Sequence, residues 1–263
     1  MLLCLDIGNS NITMGLFRSG EDIPFYRGKF SAKTARSADE YAIVIANLLN
    51  LCHTTPEEIT GCVIGSVVPP LTGLLQTALE RLSLPTALTV GPGVKTGFGI
   101  RIADPSELGA DMVANTAAAI AAYGAPLILI DAGTATTVSL VDEGKYYCGA
   151  CIIPGLRASA EVLKESTALL PTVSLSVLDK DTEVIGSYTS DCIEKGLLWG
   201  NAIMVDGFIE KFSSLLSSEP TIVATGGSAQ LFLNGCSHTI HYDADLTLKG
   251  LRVIYQLSRK KKK

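Results

Sequence analysis

Long apolar runs are missing from this sequence. Its most apolar stretch, Val113 to Ile130, is broken by Asn115, Gly124 and Pro126, so nothing matches the ~20 uninterrupted residues that cross a bilayer. The start, Met1-Leu-Leu-Cys-Leu, has no basic segment and meets Asp6 at once, unlike an export signal. Glycine and proline number only 25 and 11 in 263 residues, well below the ~25–30% of low-complexity chains. Disorder, collagen and coiled coil are excluded. A disulfide framework is also absent: the seven cysteines, Cys4, Cys52, Cys62, Cys148, Cys151, Cys192 and Cys236, are odd in number and scattered. A reducing, cytoplasmic setting is the expectation. Cys148-Gly-Ala-Cys151 is half a zinc site without a second half, and reads as core packing. The histidines His53, His238 and His241 form no metal motif, and the last two are expected at the surface; no serine has a Gly-x-Ser-x-Gly setting. Basic residues number 21 against 26 acidic ones, and five of the 21 form the run Arg259 to Lys263. The rest of the chain is therefore strongly acidic and a poor nucleic-acid binder. The run itself, 259–263, is expected to be a disordered end. Neither nucleic acid nor membrane is expected as a partner.

What is present is a 47% apolar chain whose length, at roughly 150 residues per domain, suits two modest domains. Leu2 to Leu5 is a short apolar run that ends in Asp6-Ile-Gly8-Asn9-Ser10-Asn11, and Ile12 to Phe17 resumes it: strand, glycine-bearing turn, strand. The same shape returns at Leu127 to Ile130, Asp131-Ala-Gly133-Thr134-Ala-Thr136-Thr137 and Val138 to Val141. Two copies about half a chain apart argue a duplicated domain. Helical spacing predicts helices over Ala38–Leu51, Leu71–Leu82, Glu107–Tyr123, Ala158–Leu169, about Thr189–Leu216 and Leu246–Leu257; strands are predicted at Cys62–Val68, Tyr146–Ile153 and Thr221–Ala224. Alternating strands and helices make the fold α/β. The boundary is placed at Gly124-Ala-Pro126, giving domains 1–124 and 125–258.

An Asp-x-Gly turn flanked by hydroxyl and amide side chains suits a nucleoside triphosphate, because glycine lets phosphate approach, the flanking groups donate hydrogen bonds, and the carboxylate holds a cation or water. Either turn alone is ordinary hairpin chemistry. Both together, with Thr225-Gly226-Gly227 after a third strand, point to a nucleotide.

These three segments resemble the phosphate-1, phosphate-2 and adenosine motifs of the acetate kinase, sugar kinase, heat-shock chaperone and actin superfamily, which implies duplicated actin-like (ribonuclease H-like) domains with an ATP cleft between them. Within it, Asp104-Pro-Ser-Glu-Leu-Gly-Ala-Asp111-Met-Val-Ala-Asn115, Ile153-Pro-Gly-Leu156, Ile185-Gly-Ser-Tyr-Thr189 and Leu248-Lys-Gly-Leu-Arg252 resemble the type III pantothenate kinase family, in the family's order. The resemblance implies ATP-dependent phosphorylation of pantothenate at the start of coenzyme A synthesis, in a homodimer. It implies that Asp111 is the proton acceptor; that Asp6, Ile7, Gly8, Asn9, Ser10, Asn11, Ile12, Thr13 and Thr134 bind ATP with Mg²⁺; that Gly109, Ala110, Asp111, Met112 and Thr189 bind the substrate; and that Asp131 holds a monovalent cation, K⁺ or NH₄⁺. Thr189 reads equally as a helix N-cap. The chain departs from the family on the acceptor side, with Met112 where an Arg is usual, Ile102 for a Tyr, and Ser187-Tyr188 for a basic residue and Asn. Val138-Ser139 stands where an Asp often follows the threonines of the second turn. A kinase for another small hydroxyl compound, or a non-catalytic nucleotide-binding paralogue, stays open at this point.

Overall fold

The first apolar run forms β1 (Leu2–Ile7), with Leu3, Cys4, Leu5 and Ile7 buried. It turns at Gly8 into antiparallel β2 (Asn11–Phe17), pairing Asp6 with Thr13 and Ile7 with Ile12. β3 (Tyr26–Ser31) continues the meander. Helix α1 (Ala38–Leu51) starts on a capping box, the Ser37 N–H donating to Glu40 Oε2 at 2.7 Å and the Glu40 N–H to Ser37 Oγ at 3.3 Å, which satisfies two donors that the helix leaves open. Its Tyr41, Ile45 and Leu49 recur at helical spacing and are buried. β4 (Gly61–Ser66) lies parallel to β1, α2 (Pro69–Arg81) follows, and β5 (Leu88–Thr89) adds parallel to β4. After β6 (Gly99–Ile100) comes α3 (Ala110–Tyr123). That helix begins later than its periodicity predicts, because Pro105–Glu107 forms a separate 3-10 turn capped by Asp104, whose carboxylate accepts from the Ser106 N–H at 2.9 Å.

The second half repeats the plan: β7 (Leu127–Ala132), β8 (Ala135–Val141), β9 (Tyr146–Pro154), α4 (Leu156–Glu165), α5 (Thr189–Ser213), β10 (Thr221–Thr225), α6 (Ala229–Phe232), β11 (His241–Tyr242) and α7 (Leu246–Arg259). One sheet has the order β3-β2-β1-β4-β5; the other reads β9-β8-β7-β10-β11 with β6 added beyond β9. Each strand pair has the same sense in both, antiparallel through the meander and parallel beyond it. The duplication expected from two Asp-x-Gly turns is therefore a duplication of whole sheets.

This computed structural model describes residues 1–259. The chain divides into two compact units. The first is Met1–Phe98, Ala103–Ala122 and the segment from Asp245 on; the second is Gly99–Ile102 and Tyr123–Ala244. This division differs from a single cut at 124: β6 goes with the second unit, where it pairs with β9, and α7 goes with the first. The reason for the latter is apolar. Leu248, Leu251 and Ile254 of α7 share a core with Cys4, Val63, Val113 and Ala114, and glycines make room, since a Cβ at Gly250 would lie 1.8 Å from the Ala114 carbonyl oxygen. Arg259 ends α7 and donates to the Tyr255 hydroxyl at 2.6 Å, so it is helical, not part of a disordered tail; 260–263 lie outside the described residues. Among the described residues no helix is long and apolar enough to cross a membrane.

Candidate active site

Both Asp-x-Gly turns sit at the end of the first strand of their sheet and are closed by a bond from the glycine N–H to a carbonyl, three residues on in the first turn and two in the second. The Gly8 N–H donates to the Asn11 carbonyl at 3.0 Å, and the Gly133 N–H to the Ala135 carbonyl at 2.9 Å. Each turn is then clasped from two sides. The residue after the third strand donates to the turn, Ala32 to Ser10 and Gly155 to Thr134, both at 3.1 Å. A residue after the fourth strand donates to the carbonyl that follows the aspartate, Val67 to Ile7 at 3.0 Å and Ser228 to Ala132 at 2.9 Å.

Packing demands glycine at two positions of the second frame. A Cβ at Gly155 would lie 2.4 Å from the Thr134 carbonyl oxygen, and one at Gly226, which has φ of +93°, would lie 2.5 Å from Ala132 backbone. Gly8 and Gly133 are different. A Cβ on Gly133 would meet nothing closer than 3.6 Å, and one on Gly8 would meet only the Asn11 carbonyl, at 3.3 Å. Neither has a φ in the left-handed region. The fold tolerates a side chain at Gly133 and nearly so at Gly8, so what these glycines leave open is surface above the turn, where a phosphate approaches backbone.

Within the first turn, Ile7 and Ile12 are wholly buried in the core of the first unit, so those two predicted ATP contacts are open to a ligand only through backbone. Asn9 is exposed, and Asp6, Gly8, Ser10, Asn11 and Thr13 are half-buried. In the second, Thr134 is exposed and Asp131 half-buried, with Thr137 opposite it on β8. Thr136 is fully buried and its hydroxyl has no partner among the described residues.

Asp111 lies in the first turn of α3, in the same unit as the Gly8 turn. Its carboxylate folds back so that Oδ1 accepts the Met112 N–H at 2.7 Å, and only a glycine permits this: a Cβ at Gly109 would lie 2.5 Å from that oxygen and 3.4 Å from Val67 Cγ1. Burial is the largest influence on the carboxyl and raises it above the usual range; the Met112 N–H pulls the other way and is outweighed. Ala110 is buried and Met112 half-buried. One turn on, buried Asn115 accepts the Thr247 hydroxyl at 2.7 Å, a tie between α3 and α7 that no spacing in the sequence announces.

Thr189, the first residue of α5, is exposed and belongs to the second unit. The N-cap position is Tyr188, without a side-chain cap bond, so the capping reading of Thr189 is corrected; Asp191 in the first turn ties down the preceding loop, accepting from the Ser187 N–H at 2.8 Å, and pairs with Lys195 at 3.3 Å. Among the described residues no hydrogen bond joins Thr189 to the turn after β7. His238 is not a plain surface residue: its Nδ1 is 2.8 Å from buried Asp206, which also accepts from the Ser237 N–H and hydroxyl at 2.7 Å. All seven cysteines are free, and Cys148 and Cys151 are only partly buried. Among the described residues no three His, Cys, Asp or Glu side chains gather as a metal cluster.

A family model described as Type III pantothenate kinase matches residues 2–211. The type III pantothenate kinase of Brevibacillus brevis is 39% identical over 258 residues, 97% of this chain and 98% of its own length. That of Halalkalibacterium halodurans is 36% identical over 257 residues, covering 97% and 99%. Among solved structures, the activator of the 2-hydroxyisocaproyl-CoA dehydratase from Clostridium difficile, with bound ADPNP, superposes with a TM-score of 0.55 over 97% of this chain and 95% of its own, at 12% identity. At that identity the likeness establishes the fold alone, the mixed α/β fold of actin-like ATPases and sugar kinases.

Proposed function

The chain belongs to the type III pantothenate kinase family, and from that premise we propose how its own residues carry the reaction. The reaction is ATP-dependent phosphorylation of pantothenate, a step of coenzyme A biosynthesis, with a divalent metal accompanying ATP. Phosphoryl transfer passes through a loose transition state, so positioning and charge neutralisation carry most of the catalysis. Each turn is a phosphate-binding element of its own unit, with Asn9, Ser10 and Asn11 as donors beside the open surface of Gly8 and Thr134 beside that of Gly133. That openness, in turns whose other neighbours are packed to the backbone, is the observation that carries the nucleotide reading. Asp6 gives a divalent ion one carboxylate, which suffices when phosphates provide further oxygens. Asp131 and Thr137, paired across β7 and β8, form an all-oxygen set that suits K⁺ or NH₄⁺, which would add positive charge beside the phosphates.

Asp111 is the base. It takes the proton of the acceptor hydroxyl as the phosphoryl group arrives. An ordinary aspartate, near ~3.9, is a weak base for an alcohol; burial strengthens this one, while the Met112 N–H holds the accepting geometry. Gly109, Ala110 and Met112 are substrate contacts beside Asp111 in the first unit, and Thr189 is a substrate contact of the second. The assembly is a homodimer through α5, a reading supported by Gly196, Gly200 and Gly207, beside which an added Cβ would meet nothing, and by exposed Ile203 among them. The test is ADP release with MgATP, K⁺ and pantothenate, for wild type and Asp111→Asn. Turnover that requires pantothenate and drops by roughly 10²–10⁴ in the variant is expected. Undiminished turnover in the variant removes Asp111 from the chemistry.

A further inference from the structure

The motif Leu248-Lys-Gly-Leu-Arg252 takes no part in this chemistry, yet it places two cations at a cavity. The cavity, of about 330 Å³, lies within the first unit and is lined by Asp22, Ala118, Ala121, Ala122, Lys249 and Arg252, with Val253 and Leu257 as further apolar wall. Arg252 is buried, only 8% exposed. A guanidinium carries five N–H donors, and buried donors require acceptors. Among the described residues the only acceptor for this one is Asp22 Oδ1; the Phe17 ring lies 5.8 Å from its Cζ. The Asp22 side chain is itself 83% exposed. A solvated carboxylate thus answers one donor of a largely buried fork, and Arg252 itself lines the cavity.

We propose that this cavity binds a small organic carboxylate with a short aliphatic chain, for which the Asp22 side chain is the resident stand-in. A carboxylate is the planar partner that a guanidinium fork matches, and Asp22 already occupies that position. Lys249, one helical turn before Arg252 on α7, adds a second positive charge for an anion that enters from solvent. The alanine methyls of α3 and the side chains of Val253 and Leu257 give the chain an apolar wall. The volume is at the low end for ligand pockets and admits a short chain but no nucleotide. Occupancy requires Asp22 to swing out, which its exposure permits.

The probe is sodium hexanoate, with 1-hexanol as its neutral counterpart, titrated into the full chain at constant ionic strength and followed by alanine-methyl NMR. Hexanoate is expected to shift the Ala118, Ala121 and Ala122 signals saturably, and hexanol is not. Asp22→Asn, which removes a tethered competitor present at ~mM effective concentration, is expected to tighten hexanoate on the order of tenfold. Ala121→Phe, which fills the cavity and leaves the Arg252 pair in place, is expected to abolish binding while pantothenate-dependent turnover is unchanged. Equal response to hexanoate and hexanol, no saturable shift in wild type, or binding that survives Ala121→Phe would each overturn the proposal. The wild-type comparison and Ala121→Phe decide it even where Asp22→Asn fails to fold.

Discussion

Replacing Gly250 by alanine isolates what holds the last helix to the first unit. In an open helix the change would stabilise by about 1 kcal/mol, because glycine is that much poorer a helix former. Here an ideal Cβ lands 1.8 Å from the Ala114 carbonyl oxygen, 2.3 Å from its carbon and 2.8 Å from its Cα. All three atoms are helix backbone, so nothing can rotate away, and α7 and α3 must part by more than an ångström. A gap of ~0.5–1 Å already forfeits a quarter to a half of each dispersion contact, and the contacts at stake are those of Leu248, Leu251 and Ile254 with Val113, Ala114 and Ala117. Overpacking of this kind costs typically 1–3 kcal/mol. With a rigid clash the upper end applies, and subtracting the helix gain leaves about 2 kcal/mol of destabilisation. For a protein of this size that is a fall in Tm of roughly 4–8 °C, read by circular dichroism. Two controls frame it. Gly61→Ala would meet the Tyr255 hydroxyl at 1.9 Å, the end of a side chain that can move, and is expected to cost less; Gly73→Ala meets nothing within 4 Å and is expected to be neutral or stabilising. The turnover of Gly250→Ala should fall as well, since α3 carries Asp111 and is tied to α7 through Asn115 and Thr247. A Tm at or above wild type would refute the argument that backbone contact at Ala114 seats α7.

Asp111 makes a stability prediction beside its kinetic one. Burial raises its carboxyl, so its contribution to stability is full below the ordinary carboxylate range and is lost as pH rises through the raised value; Asp111→Asn should melt higher than wild type at pH 7, the gap closing towards ~pH 4, while the acid limb of wild-type kcat/KM lies above ~3.9. Asp206 has the opposite sign. Burial pushes it up, but the bonds from His238 and Ser237 together outweigh this and hold it low, so its stabilisation is present above the ordinary range and lost as pH falls through the lowered value. Asp206→Asn should melt lower at neutral pH, with the difference vanishing in acid. Gly155→Ala drives a Cβ into the Thr134 and Gly133 carbonyls, at 2.4 and 2.5 Å, and should raise the KM for ATP several-fold more than that for pantothenate, measured by varying each in turn. Gly200→Leu on α5, where a side chain finds open space within the chain, should leave the monomer fold intact and weaken self-association in analytical ultracentrifugation; unchanged sedimentation would remove α5 from the dimer contact.

The long elements were legible because their periodicity is strong. Ala38–Leu51 matches α1 end for end, and both Asp-x-Gly hairpins fall where the apolar runs end. What stayed hidden lacks a local signal. β3 alternates only weakly, with Gly28 and Lys29 in its middle, and is a strand because β2 offers it an edge. β5, β6 and β11 are two residues each, defined entirely by the strands they join. Likewise, an apolar stripe along Leu246–Leu257 says that a helix will bury one face and not against which sheet; that choice rests on Gly15, Gly65 and Gly250, whose missing side chains are filled by Leu248, Leu251 and Ala114. The site followed the same rule. Asp111 was recognisable from its motif, whereas the reason for Gly109 beside it, room for a carboxylate that folds back 2.7 Å from its own helix's N–H, exists only in three dimensions.

The two frames obtain one topology by different means, and the difference sets what each clasp can accept in place of its present residues. In the second frame Gly155 and Gly226 press backbone on backbone, so the Gly133 turn is fixed by contacts that cannot adjust. In the first, the clasp comes from Ala32 and Val67, residues with side chains. A side chain added to the second clasp must therefore displace backbone, whereas the first clasp already carries side chains at both of its positions.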